Sequence, residues 1–497
     1  MGYWLKTTIL NTSHFEGLRF SLSATQLFQQ TATQLRKLII SREVSATEIL
    51  HAHLARIESI NPHVNAIVTL AEETAIAQAA TIDQQLRQGE DIGILGGLPI
   101  AHKDLALTRG IRTTYGSKLY ANFIPDENAL IVQRMQDAGA ISVGKTNTPE
   151  WGAGSQTFNE VFGSTKNPFD LTKTCGGSSG GAAVCLAARM LPLCDGSDMG
   201  GSLRNPASFC NVVGLRPSAG RVPNAPSEAG WFNLPTSGPM ARTVEDCALL
   251  LAAIAGPDTR APLSIQESGN TFLKPLDRDF KNVRVAFSAD FNGQIPIQSE
   301  VKDIISKAVQ PLSDIGCHID NHCPDFSGAD LAFKTLRAWS FAMRFGEDIT
   351  KNRDAYKDSI IWNAEAGLAL TGKDIGAAEK ARTQLFSRFS ELFRHYEFLL
   401  LPVVQVVPFS INEEYVKDIE GVKMQTYIDW MKSCYYLSPL GLPVISIPCG
   451  FTQQGLPVGL QIIGGPQQDR AVLQLAYAFQ QANPAGKTEP EIDPIAA

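Results

Sequence analysis

Two serine sites set among glycines carry the densest chemistry in this 497-residue chain. One is Gly176-Gly177-Ser178-Ser179-Gly180-Gly181, and the other is Asp198-Met199-Gly200-Gly201-Ser202. An apolar stretch between them, Ala182–Met190, reads as a helix. A single Gly–Ser cluster is usually an ordinary turn. Two of them flanking an apolar helix call for another explanation. Backbone without Cβ can approach a ligand closely and aim successive N–H groups at one point. Donors so placed stabilise a developing oxyanion, and the serines add hydroxyls for nucleophilic catalysis. The stretch from Gly93 to Gly220 holds 19 of the 41 glycines, so the demand for bare backbone is concentrated there.

Several other chemistries fail on spacing. Gly176 and Gly181 match a phosphate-binding P-loop, but Ala182-Ala183 follows where Lys-Ser/Thr is required. No dinucleotide fingerprint occurs, and no cofactor is expected. Gly-x-Ser-x-Gly appears twice, centred on Ser178 and on Ser179. A nucleophile elbow needs a buried strand just before it, however, and residues 167–174 are polar and turn-like. A Ser–His–Asp triad needs a histidine. The chain has eight, of which only His318, His322 and His395 follow the serines. That shortage points to lysine as the base. A lysine deprotonates serine only when neutral, so burial must lower its pKa from about 10.4 by several units. Lys103, at the end of an apolar run within Leu98–Leu107, is the candidate.

Cys317-His-Ile-Asp-Asn-His-Cys323 invites a metal reading. On a strand His318 and His322 would stand about 13 Å apart, too far for one ion, and the spacing is not that of a zinc site. The expectation is a strand with buried cysteines after a helix at 299–313, and no metal.

The elements around these residues alternate. Ser45-Ala-Thr-Glu48 is a capping box that opens an amphipathic helix running to Ile60, with Asn61-Pro62 as its stop. Strands are expected at Val64–Leu70, Leu98–Ala101, Ala140–Val143, Val283–Phe287, Phe398–Val404, Val444–Ile447 and Pro457–Ile463. Helices are expected at Glu127–Ala138 and Arg470–Gln481. This predicts an α/β protein with a large, mostly parallel central sheet covered by helices on both faces. Residues 1–22 read as an N-terminal extension and 23–497 as a single domain. Its mostly helical block lies at about 327–396, where Ala329–Phe345 and Ile375–His395 look amphipathic. In that block Trp339, Phe341, Phe345 and Trp362 are expected mainly in the core, with some free to line an acyl pocket.

The 43 basic and 50 acidic residues give a net charge of −7, which offers no general footprint for nucleic acid. The longest strongly apolar run, Phe398–Phe409, is 12 residues with two prolines, against about 20 needed to span a bilayer. The first residues lack a secretory pattern. Nine scattered cysteines read as reduced, buried thiols. Together these predict a cytoplasmic protein.

The chain resembles the amidase signature enzymes, serine hydrolases with a Ser–cis-Ser–Lys triad. The resemblance covers roughly residues 25 to 485. It is carried by Gly97-Leu-Pro-Ile-Ala-His-Lys-Asp104, Val143-Gly-Lys-Thr-Asn-Thr-Pro-Glu-Trp151, both serine clusters, Gly214-Leu-Arg-Pro-Ser218, Ser237-Gly-Pro-Met-Ala-Arg-Thr-Val-Glu-Asp246 and Gly455-Leu-Pro-Val-Gly-Leu-Gln461. It implies Ser202 as nucleophile, Ser178 as bridging serine after a cis Gly177–Ser178 peptide, and Lys103 as base. It also implies an oxyanion hole from the N–H groups of Met199, Gly200, Gly201 and Ser202. Asp198 and Arg204 match as structural charges. Cys175 stands where the family usually has proline, and Met199 where a smaller or β-branched residue is common; both bear on local geometry.

Within the family, membrane-bound fatty-acid amide hydrolases carry a spanning helix and long allophanate hydrolases an extra C-terminal domain. Neither is expected here. The region around 335–385 differs from that of the A-type amidotransferase proteins. The expected activity is therefore stand-alone hydrolysis of a small-molecule amide, with a homodimer as the candidate assembly. The rival reading is an A-type subunit of a glutamine-dependent amidotransferase.

Overall fold

The computed structural model describes residues 23–492; the expected extension at 1–22 lies outside them. Eleven strands form one sheet: β1 (Ile67–Leu70), β2 (Pro99–Lys103), β3 (Ile141–Thr146), β4 (Leu193–Asp198), β5 (Val213–Arg216), β6 (Thr236–Ala241), β7 (Arg284–Phe287), β8 (His318–Asn321), β9 (Phe398–Pro402), β10 (Val444–Phe451) and β11 (Pro457–Gly464). Their spatial order is β1-β3-β2-β4-β6-β5-β10-β11-β9-β7-β8.

The α/β class is as expected, but the sheet is not mostly parallel. Only four neighbouring pairs are parallel, β2 with β3, β2 with β4, β7 with β8 and β7 with β9. The other six are antiparallel. A short return accounts for one of them, β10 with β11. Residues 452–456 are all that join β10 to β11, whereas a parallel crossover needs a dozen or more residues.

The strands read from apolar runs are present with shifted ends. Three others, β4, β5 and β6, carry no such run. β4 contains Asp195 and Asp198 and β5 ends in Arg216, yet all three residues are buried. Asp198 and Arg216 pair with each other and Asp195 is hydrogen-bonded to His102, so hydropathy does not mark β4 and β5.

Helix α1 (Ala46–Val64) opens with the expected capping box. Glu48 Oε2 accepts from Ser45 N at 2.8 Å, and Ser45 Oγ accepts from Glu48 N at 3.1 Å. It runs through Pro62, past the expected stop, and ends where Asn65 takes φ +52°. Asn61 Oδ1 accepts from Ala66 N (2.9 Å) and Ile67 N (2.8 Å), so Asn61 supports the turn into β1 from inside the last helical turns.

Helix α2 (Gly180–Ala187) is buried along its whole length, and so is the short α3 (Arg204–Phe209). They carry the two serine loops through the core. The helical block consists of α4 (Ala329–Asn352), α5 (Asp358–Leu368) and α6 (Gly372–His395). Phe341, Phe345 and Ile349, spaced four apart on one face of α4, join Ala153, Ile360, Ile361 and Ala364 in a small apolar cluster beside the main core. The chain closes with α7 (Asp469–Ala482). Among the described residues, no helix is long and apolar enough to cross a membrane.

Candidate active site

Strand β2 delivers Lys103 from between two parallel neighbours, and the residue is 1% exposed. Its Nζ donates to Ser178 Oγ at 2.7 Å, Ser179 Oγ at 2.9 Å and Ser197 Oγ at 3.1 Å. Among the described residues no carboxylate pairs with it. Nearby Asp195 is held by His102 Nδ1 at 2.9 Å instead. Burial pushes the Lys103 ammonium down to about 7, against the pull of Asp198 and Asp195. A lysine so placed is substantially neutral near physiological pH.

Ser178 sits in the loop entering α2, and the Gly177–Ser178 peptide is cis, as the family resemblance implied. The loop is pinned from two sides. Gly177 N donates to Asn205 Oδ1 at 3.0 Å, and Thr157 Oγ1 donates to the Gly176 carbonyl at 2.9 Å. Gly176 has φ +75°, and a Cβ there would lie 2.4 Å from Asn205 Oδ1, so only glycine fits. The segment before it is a short hairpin, Lys166–Asn167 with Asp170–Thr174. It is not the buried strand of a nucleophile elbow. Cys175 is fully buried, its Sγ donating to Thr165 O at 3.4 Å, and burial pushes its thiol up to about 12. It is a packing group, not a competing nucleophile.

Ser202 lies in the loop leaving β4. Asp198 organises this loop from beneath by accepting from Gly201 N (2.8 Å), Leu203 N (3.2 Å), Arg204 Nε (3.0 Å) and Arg216 Nη1 (3.2 Å). Burial alone would raise the Asp198 pKa, but Arg204 and Arg216 hold its carboxyl below the usual carboxylate range. Gly201 has φ +124°, and a Cβ there would come within 2.5 Å of Cys434 Cβ. The N–H groups of Met199, Gly200 and Ser202 have no acceptor among the described residues. Gly201's N–H is already committed to Asp198, so the expected four-donor hole presents three unengaged donors.

Lys103, Ser178, Met199, Gly200 and Ser202 all line one cavity of about 700 Å³. The sequence did not single out Ser179 and Ser197 as partners of the lysine, although Ser179 lies inside the first serine motif and Ser197 immediately precedes the second. It also missed Arg337 and Tyr427, which line the same cavity. No local signal marks those two, because only the packing of α4 against the 424–431 segment brings them together. Of the four aromatics singled out in the helical block, Phe341 and Phe345 line the cavity, as does Phe333. Trp339 packs edge-on to Phe232 at 5.2 Å, and Trp362 is 41% exposed. Cys317 and Cys323 are buried at the ends of β8, while His318 meets Asn282 at 3.3 Å and His322 stacks on Tyr396 at 5.5 Å. The two imidazoles thus serve separate contacts.

The Amidase family model matches residues 48–473. The chain is 35% identical over 482 residues to the A-type subunit of glutamyl-tRNA(Gln) amidotransferase from Alkaliphilus metalliredigens (strain QYMF), covering 91% of this chain and 96% of that protein. It is 34% identical over 463 residues to an acylamidase of Rhodococcus erythropolis, covering 93% and 97%. A crystal structure of a bacterial aryl acylamidase of the amidase signature family superposes with a TM-score of 0.87 at 28% identity, over 92% of this chain and 97% of that chain. With its buried lysine and serine loops on the matching motifs, the chain belongs to the amidase signature family of amide-hydrolysing enzymes.

Proposed function

We propose that the protein hydrolyses a small-molecule amide through a Ser202 acyl-enzyme, with Ser178 as proton bridge and Lys103 as base. The observation that carries this is the 2.7 Å contact between buried Lys103 Nζ and Ser178 Oγ, in the cavity that Ser202 also lines. Neutral Lys103 takes the Ser178 proton, and Ser178 takes that of Ser202 as the latter attacks the amide carbonyl. The carbonyl oxygen moves toward the unengaged N–H groups of Met199, Gly200 and Ser202, where its developing charge is stabilised. The relay then returns a proton to the leaving amine, and water cleaves the acyl-enzyme. The test is to label the purified protein with a fluorophosphonate, find the modified residue by mass spectrometry, and assay a panel of amides. A label on Ser202 with amine release supports the reading. A label on Ser179 or a cysteine overturns it.

A second reading is an A-type subunit of a glutamine-dependent amidotransferase, favoured by the 35% identity to such a protein. It predicts stable co-purification with other subunits and tRNA-dependent amide formation. The TM-score of 0.87 with an aryl acylamidase supports the stand-alone hydrolase.

A further inference from the structure

Arg337 projects from α4 into the wall of the cavity and is only 7% exposed. Its guanidinium stacks over Phe341 at 4.3 Å and lies 5.8 Å from the Tyr427 ring. Nη1 donates to the thioether of Met199 at 3.3 Å, Nη2 donates to the Tyr427 hydroxyl, and Nε has no partner among the described residues. Among the described residues no carboxylate pairs with it. The other buried arginines near the site are different, since Arg204 and Arg216 share Asp198. Arg344, two turns further along α4, lies over Trp151 at 4.7 Å and has Glu228 as an electrostatic neighbour.

A buried cation normally carries an anion, because desolvating an unpaired charge is costly. A sulfur and a phenol are weak substitutes. The planar guanidinium is suited to a carboxylate, and Met199, which it touches, begins the loop where the amide carbonyl would be held. We propose that Arg337 is the anchor for a carboxylate on the substrate, so that the preferred amides are acidic ones. This rests on the reading of the cavity as the amide-hydrolysing site. Two substrate classes carry such a group: monoamides of dicarboxylic acids, with the carboxylate on the acyl side, and N-acyl amino or aminobenzoic acids, with it on the leaving amine.

The experiment measures binding and turnover separately. Full-length Ser202→Ala protein is titrated calorimetrically with glutaric acid monoanilide and with N-acetyl-4-aminobenzoate, each beside its methyl ester. The acid of at least one pair is expected to bind about 10- to 100-fold more tightly than its ester, the range for a charge-assisted hydrogen-bonded pair. Which pair shows the preference assigns the carboxylate to the acyl or amine side. Adding Arg337→Met should collapse that ratio, and Arg337→Lys should keep part of it. A purely structural arginine would weaken acid and ester alike and leave the ratio unchanged. Equal affinity for acid and ester in both pairs overturns the proposal without any Arg337 variant having to fold. So does a ratio that survives Arg337→Met. If the acid binds preferentially but the wild-type protein cleaves neither anilide, the carboxylate site stands and the hydrolase reading falls.

Discussion

Lys103 Nζ lies 2.7 Å from Ser178 Oγ at the end of a buried strand, with no carboxylate paired to it among the described residues. Its partners are three hydroxyls and the Ser197 carbonyl. That environment solvates a neutral amine adequately and an ammonium poorly, and burial accordingly brings the lysine down to about 7. Since the neutral form is the proposed base, kcat/KM should rise with pH through about 7 and be lost below it. A pH–rate profile with no ionisation between about 6 and 8 would remove Lys103 from this role. The unfolded chain binds the proton more tightly between about 7 and 10.5, so stability relative to Lys103→Met should rise with pH across that window.

The two serines should differ in weight. On the proposed mechanism Ser202→Ala removes the nucleophile, so kcat should fall about 10⁴-fold or more. Ser178→Ala removes only the proposed proton bridge and should cost about 10²- to 10⁴-fold. Steady-state rates on an anilide substrate measure both. Near-wild-type turnover by Ser202→Ala would reassign the nucleophile.

Asp198 is shared between Arg204 and Arg216 in a fully buried network. Asp198→Asn keeps the shape but leaves two buried cations without an anion. The expected loss is about 3–5 kcal/mol, seen as a lower urea midpoint. Arg260→Gln, which breaks a solvent-screened pair with Asp258, should shift the midpoint far less. Equal midpoint shifts would contradict the network's importance.

Gly201 combines φ +124° with close approach to Cys434 Cβ. Gly201→Ala should therefore shift the Ser202 loop and lower kcat more than it raises KM. Adding Cys434→Gly, which removes the clashing atom, should restore part of the rate. No rescue would place the defect in backbone strain alone.

The sequence by itself marked the serine loops and Lys103 as candidates, through residue types at local spacings, and the α/β class through strand–helix alternation. It also showed the capping box of α1 and the strands built from continuous apolar residues. It did not reveal β4, β5 and β6: Asp195, Asp198 and Arg216 look like surface charges until Asp195 is seen hydrogen-bonded to His102 and Asp198 paired with Arg204 and Arg216. Nor could it give strand direction, because pairing partners are set by sheet order and not by hydropathy. Arg337 was invisible for the same reason. On the sequence it is one charge on an amphipathic helix. Only tertiary packing decides that it faces Phe341, Tyr427 and Met199 inside the cavity, with no counter-charge of its own among the described residues.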